Sequence, residues 1–321
     1  MIYRAIAFIL ISIIVISSFL LIVNAPSLNA QLALPPGVKR EETVIFDVQI
    51  SSVANPDNWN PWVIGTQATV IGINQVCMST LYYTDYKDGV TKPWVAEDLP
   101  TYSPDFTMLT IKIRKGIYWS DGTPFTASDV VYAINVSKAN SKLGPYSFLN
   151  VWVDSAWVVD DYTLAIKLKR PNPYFHYAAF TLIGPGIYNY MMPKHHFEAN
   201  GIKPEDAHTF LYNPPLCIGP YVLHSYDPGG TWFLWKRRDD WDRSSIKPLY
   251  DQKIILWPGP KWVMFRVFKT ETDKVVAMAR GELDWIFDAT WQAWESLRRM
   301  LGERVQAWLP YYPYFWGYDT T

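Results

Sequence analysis

Four groups of residues in this 321-residue chain are of types that do chemistry. Ser120 and Asp121 lie in "RKGIYWSDGTPFTASDVVY" (114–132) and offer a nucleophile beside a carboxylate. Such a pair needs a histidine base within hydrogen-bond reach, and no motif links the five histidines, at 176, 195, 196, 208 and 224, to this turn. Asp239 with Asp240, and Asp284 with Asp288, are carboxylate pairs of the kind a glycosidase uses, but those acids must face each other across a cleft. Asp239-Asp240 precedes Trp241 at a hairpin end and reads as a solvated turn. His195-His196 are adjacent, so their side chains diverge and do not naturally share a metal ion. Cys77 and Cys217 are the two cysteines. In an oxidising compartment they can pair, but connectivity cannot be read from sequence, and two buried thiols are the favoured reading.

The 114–132 stretch is better explained by backbone duties. Arg114 ends a strand and Gly116 releases the chain. Ser120-Asp121-Gly122 makes a tight turn in which glycine supplies positive φ. Thr123 stays extended before Pro124, and Thr126 with Asp129 forms a capping box for a helix from Ala127. Val130, Ala133, Ile134 and Ser137 are the buried stripe of that helix. Asn135-Val136-Ser137, a glycosylation-type triplet, falls inside it and is discounted.

The surrounding elements mix strands and helices. "TVIFDVQI" from Thr43 alternates, with Val44, Phe46, Val48 and Ile50 on one face and Asp47 and Gln49 on the other. "MLTIKIRKG" and "YTLAIKLKR" repeat the pattern, with Leu109, Ile111 and Ile113, then Leu164, Ile166 and Leu168, facing inward. Further strands are expected at Tyr221–Tyr226, Thr231–Lys236, Lys253–Trp257 and Leu283–Phe287. Helices are expected from Asp273 to Arg280, capped by Thr272 and stopped by Gly281, and over "ATWQAWESLRRML". Without strict βαβ alternation, the fold class is a mixed α+β or irregular α/β architecture.

Net charge is −1, from 29 basic and 30 acidic residues, so there is no dense basic face for nucleic acid. The chain is rich in 16 Trp, 21 Tyr and 15 Phe, which suit cores and ligand-gripping surfaces alike. Arg4 followed by the uncharged "AIAFILISIIVISSFLLIV" (5–23) describes an export signal, or a retained membrane anchor of about 20 residues. Both place the remainder outside the cytoplasm, and the export signal is favoured. No cysteine follows the apolar run to carry a lipid. Residues 31–42 are a Pro/Gly linker.

"RKGIYWSDGTPFTASDVVYAI" resembles the signature of the peptide/nickel family of extracellular solute-binding proteins, which serve ABC importers. "NWNPW" (58–62), "KPWVAEDLPTYSPDFTMLTIKIRKG", "PPLCIGPYVLHSYDPGGTWFLWKRRDDW" and "VVAMARGELDWIF" are similar to further family landmarks in the right order, over roughly 43–321. One departure stands out. The family's Gly-Thr-Gly-Pro-Tyr is here Cys217-Ile218-Gly219-Pro220-Tyr221, a change expected to alter local turn packing.

The resemblance implies a type II periplasmic-binding-protein-like fold that stops before its second lobe. It divides the chain into an export segment or anchor (1–30), a linker (31–42), a first part of lobe I (43–76), an inserted subdomain (77–194) and a second part of lobe I (195–321). It implies a non-enzymatic receptor that captures an oligopeptide, or an oligosaccharide, and passes it to an ABC permease with its ATPase; no cofactor or metal is implied. By the same resemblance Ile64, Gly65, Thr66 and Gln67, with Trp62 beside them, line the ligand cleft. Tyr314, Trp316 and Tyr318, in "YYPYFWGYD", present an aromatic face to the cleft or to the core beside the hinge. The competing readings are a secreted glycoside hydrolase and a non-transporting surface sensor.

Overall fold

The computed structural model describes residues 34–85, 89–181 and 191–307. The chain divides into two compact units, residues 1–39 and 40–321. In the first, the described residues form a turn closed by Val38 N–H to Pro35 O at 3.1 Å, with Gly37 at φ +81°.

The second unit contains two four-stranded sheets and a short ribbon. The strands are β1 (Thr43–Asp47), β2 (Tyr82–Thr84), β3 (Thr91–Pro93), β4 (Thr101–Tyr102), β5 (Met108–Lys112), β6 (Val153–Asp160), β7 (Thr163–Leu168), β8 (Tyr221–Tyr226), β9 (Trp232–Arg237) and β10 (Trp262–Arg266). The first sheet runs β1-β10-β9-β8, the second β4-β5-β7-β6, and β2 pairs with β3. β1 lies parallel to β10, with Thr43 opposite Trp262; the other pairs are antiparallel. The two sheets share one core, in which Phe233, Trp235 and Phe265 of the first join Leu109, Ile111, Leu164 and Ile166 of the second.

Alternation placed β5 and β7 correctly. Leu109, Ile111, Ile113, Leu164, Ile166 and Leu168 are all buried. β1 departs from expectation, because Asp47 is fully buried while Phe46 is only half-buried. The buried carboxylate is matched by Lys274 Nζ at 2.5 Å and by the Phe287 N–H at 2.7 Å. A charge enters a core when it is paired and hydrogen-bonded, so polarity alone misassigned this face.

The Lys253–Trp257 strand is not formed. That segment is irregular, and Ile254, Leu256 and Trp257 are exposed. The strand falls instead on the next apolar run, β10, whose Trp262, Val263, Met264 and Phe265 are all buried between neighbours. Leu283–Phe287 contributes an isolated parallel bridge, Phe46 to Trp285, along the open edge of β1. The helix expected at 273–280 runs from Glu271 to Ala279, starting two residues earlier, because Thr270 rather than Thr272 makes the reciprocal box with Asp273, both contacts at 3.2 Å. β6 was missed altogether. Most of it is exposed on both faces, so it carries no period-two signal.

Candidate functional site

The 114–132 stretch folds as the turn and helix start its residues dictate. Gly122 N–H closes on Trp119 O at 2.9 Å, Gly116 and Gly122 sit at φ +83° and +88°, and Thr123 N–H donates to Asp121 Oδ1 at 3.0 Å. The helix Ala127–Ala139 follows, and its Val130, Ala133, Ile134 and Ser137 are buried. Asp129 does more than cap. Its carboxylate accepts from Thr126 N–H and Lys194 N–H, both at 3.0 Å, and from Trp119 Nε1 at 3.3 Å. Burial nevertheless raises its pKa above the ordinary carboxylate value.

The structure brings His195 to this turn, which the sequence did not reveal. Its Nε2 lies 2.8 Å from Asp121 Oδ2. Partial burial works to raise the Asp121 carboxyl, but the Thr123 amide and His195 outweigh it, and the net shift is downward. Ser120 faces elsewhere: its Oγ accepts from Cys217 N–H at 3.0 Å. A nucleophile must hydrogen-bond to its base; here the hydroxyl and the imidazole have separate partners, and the trio fastens one turn to two segments. His196 packs against Phe210 and Tyr212, with ring centroids at 5.6 and 5.9 Å. Among the described residues no group of three or more His, Cys, Asp or Glu is arranged to hold a metal ion.

Cys77 and Cys217 form a disulfide, with an S–S distance of 2.14 Å and Cα atoms 4.6 Å apart. The expectation of two buried thiols is therefore corrected. Both cysteines are buried, as expected for thiols, but the fold brings their backbones within bonding range. Gly219 N–H donates to Cys77 O at 2.7 Å, and a Cβ on Gly219 would lie 2.4 Å from Val76 O. The departure Cys217-Ile218-Gly219 from the family pattern thus supplies one end of a covalent link. That substitution was the available signal.

Arg238 is the second residue that sequence reasoning passed over. Only 2% of its side chain is exposed. It donates to Tyr118 O at 3.0 Å, Cys217 O at 3.2 Å and Trp119 O at 3.4 Å, and forks onto both oxygens of Asp240 at 2.9 and 2.8 Å. Those bonds from Arg238 hold the Asp240 carboxyl below its ordinary range. Asp239 is almost fully exposed, so only half of the Asp239-Asp240 pair is a solvated turn. Asp284 is taken by Arg40 at 2.6 Å and the Ile45 amide at 2.8 Å, and Asp288 by Gln49 at 2.6 Å.

The 62–67 loop is rigidly mounted. Asn60 Nδ2 donates to Ala207 O and Phe210 O, each at 2.8 Å. Trp62 has no exposed surface. It packs edge-on against Phe197 and Tyr212, with centroids at 5.6 and 5.1 Å, and so anchors the loop from within. Gln67 is also engaged, donating to Ser52 O at 2.9 Å and accepting from Ala54 N–H at 2.7 Å. Thr66 Oγ1 accepts from Ala68 N–H at 3.3 Å. Ile64 is 59% exposed, and Gly65, at φ +74°, has open space where a Cβ would stand. The free face of the loop is therefore Ile64-Gly65. Tyr314, Trp316 and Tyr318 lie outside the described residues.

Residues 90–321 match the family described as "Bacterial extracellular solute-binding proteins, family 5 Middle". The chain belongs to this family. Among curated relatives of this solute-binding family, the oligopeptide-binding protein OppA of Bacillus subtilis is 28% identical over 214 residues, covering 62% of this chain and 35% of that protein. The periplasmic OppA of Escherichia coli is 32% identical over 106 residues, 28% of this chain and 19% of that protein. The chain spans about a third of the length of the first of these.

Solved structures share the fold. A Thermotoga maritima periplasmic oligopeptide-binding protein with bound mannohexaose superposes with a TM-score of 0.62 at 24% identity, covering 78% of this chain and 42% of that one. AppA of Bacillus subtilis, in complex with a nonapeptide, gives 0.62 at 18% identity, covering 81% and 46%. The mixed α/β, periplasmic-binding-protein-like architecture expected from sequence is the one observed, over part of the family fold.

Proposed function

We propose that this chain is the solute-capturing component of an ABC importer, binding an extended oligopeptide outside the cytoplasm and delivering it to a membrane permease with its ATPase. The observation that carries the reading is the family match over residues 90–321 on a fold of the periplasmic binding type. Capture needs no nucleophile; it needs a shaped wall and a second lobe that closes on it. The engagement of Ser120 apart from the Asp121–His195 pair fits a protein that holds its cargo and does not transform it. Residues 5–23 direct the chain out of the cytoplasm, as a cleaved signal or an anchor.

In this reading Ile64-Gly65 is the part of the first lobe that meets the ligand. Thr66 and Gln67 hold it in shape, Trp62 is its internal anchor, and Tyr314, Trp316 and Tyr318 are further candidate ligand contacts. An oligosaccharide is the second reading, favoured by the mannohexaose bound to the Thermotoga relative. Calorimetry of the full reading frame with a pentapeptide mixture and with mannohexaose separates the two. Binding to neither at millimolar concentration would sink both. Ile64→Asp, an exposed change, is expected to weaken the productive ligand about tenfold or more by placing an unpaired carboxylate in the contact.

A further inference from the structure

A cavity of about 860 Å³ opens between the end of β5 with the β6–β7 turn and the segment 242–252. None of its lining residues belongs to the 62–67 loop. The volume is that of a small-molecule site. Its lining is strongly charged, and four of its eight charged residues already act on one another. Lys247 pairs with Asp251 at 2.5 Å. Lys115 stands 5.3 Å from the Tyr162 ring centroid and acts electrostatically on Asp160. Glu97 N–H donates to Lys112 O at 2.8 Å, a backbone contact that puts two opposite charges on paired backbone without an ion pair between their side chains.

Of the other charged lining residues, Arg114 and Asp242 stand on segments held by contacts outside the lining. Arg114 Nε donates to Trp94 O at 2.9 Å, which fixes the guanidinium plane, and its two terminal nitrogens have no hydrogen-bond partner among the described residues. A guanidinium anchored at Nε is a pre-oriented fork for a carboxylate. Asp242 lies on the turn Trp241–Arg243, and its carboxylate is not ion-paired among the described residues. That turn is locked to the strand end carrying Arg114: Tyr118 N–H donates to Arg243 O at 2.8 Å, and the Arg243 guanidinium lies 3.8 Å from the Tyr118 ring centroid. A cation and an anion, neither ion-paired among the described residues, thus line one cavity.

We propose that this cavity is a second ligand site, taking a small zwitterion such as a free amino acid or a very short peptide, with the carboxylate on Arg114 and the ammonium on Asp242. Balanced charge in the lining disfavours a simple anion such as phosphate. Two fixed opposite charges favour a molecule carrying both.

The test is a titration of the 321-residue chain with glycine, diglycine and triglycine, each against acetate, ethylamine and inorganic phosphate, read by NMR at Tyr162 and Gly116. At least one zwitterion is expected to shift these signals and to bind about tenfold more tightly than any single-charge probe, since each charged hydrogen bond is a substantial part of the affinity. Asp242→Asn and Arg114→Gln are each expected to lose about that factor. Asp242→Asn is the safer variant, because Arg114 also supports Trp94. Equal binding of acetate and the zwitterions, unaltered binding in Asp242→Asn, or no shift at Tyr162 and Gly116 with any probe would overturn the assignment. Ile64→Asp is expected to leave this site unchanged, so its result and that of the cargo-binding test stand apart.

Discussion

Replacing both Cys77 and Cys217 by serine removes a cross-link between residues 140 positions apart. In the chain-entropy account, a closed loop of that length restricts the unfolded ensemble by about 5 kcal/mol at 25 °C, near the top of the range for disulfides. With a urea m-value of about 3 kcal/mol/M, the midpoint of unfolding should fall by about 1.5 M. Tryptophan fluorescence is a suitable probe, because Trp59, Trp62, Trp119 and Trp235 are fully buried. Two arms separate the cross-link from the side chains. Wild type reduced with a phosphine loses the cross-link but keeps sulfur in the core. The double serine variant also buries two hydroxyls, costing about 1 kcal/mol or more each where they lack partners. The expected order of midpoints is oxidised wild type, reduced wild type, double serine variant. Oxidised and reduced wild type agreeing within about 0.3 M, which is about 1 kcal/mol at that slope, would refute the reasoning. So would two titratable thiols in the unfolded, oxidised chain.

Three further outcomes follow from the same region. Gly219→Ala places a Cβ 2.4 Å from Val76 O and should destabilise by about 1–3 kcal/mol, seen as a lower urea midpoint at unchanged slope. Arg238→Met removes the donor shared by Tyr118 O, Cys217 O and Asp240 and should cost about 3 kcal/mol by the same measurement, with a stability like wild type counting against the hub. Asp240 has a folded pKa below its ordinary 3.8, so its contribution is present above that value and lost as pH falls through the folded value. Urea midpoints measured from pH 6 to 2 should fall less steeply for Asp240→Asn than for wild type.

Local rules made β5, β7 and the helix from Ala127 legible, because each carries an uninterrupted period and a marked boundary. They failed where a partner distant in sequence decides. Asp47 reads as a solvent-facing residue until Lys274 and Phe287 are known to meet it. The apolar runs at 253–257 and 262–266 have similar strand appeal, and pairing with β1 and β9 selects the second. The candidate site shows the same division. The resemblance picked out the loop Ile64 to Gln67, but the burial of Trp62 beside it depends on Phe197 and Tyr212, about 130 residues or more away. Arg238 in "KRRDDW" looks like any surface arginine, and its burial follows from carbonyls of the 118–119 turn.

The parallel alignment of β1 with β10 bears on when this polypeptide acquires its shape. Thr43 emerges early from the ribosome, yet its neighbour Trp262 follows roughly two hundred residues later, a separation that slows acquisition of native contacts. The β4–β7 sheet, by contrast, is drawn wholly from residues 101–168, so all its strands are made before β8. The first sheet consequently stays open throughout most of synthesis. Its closure waits on β10, so the last strand made, not the first, sets when that layer is complete.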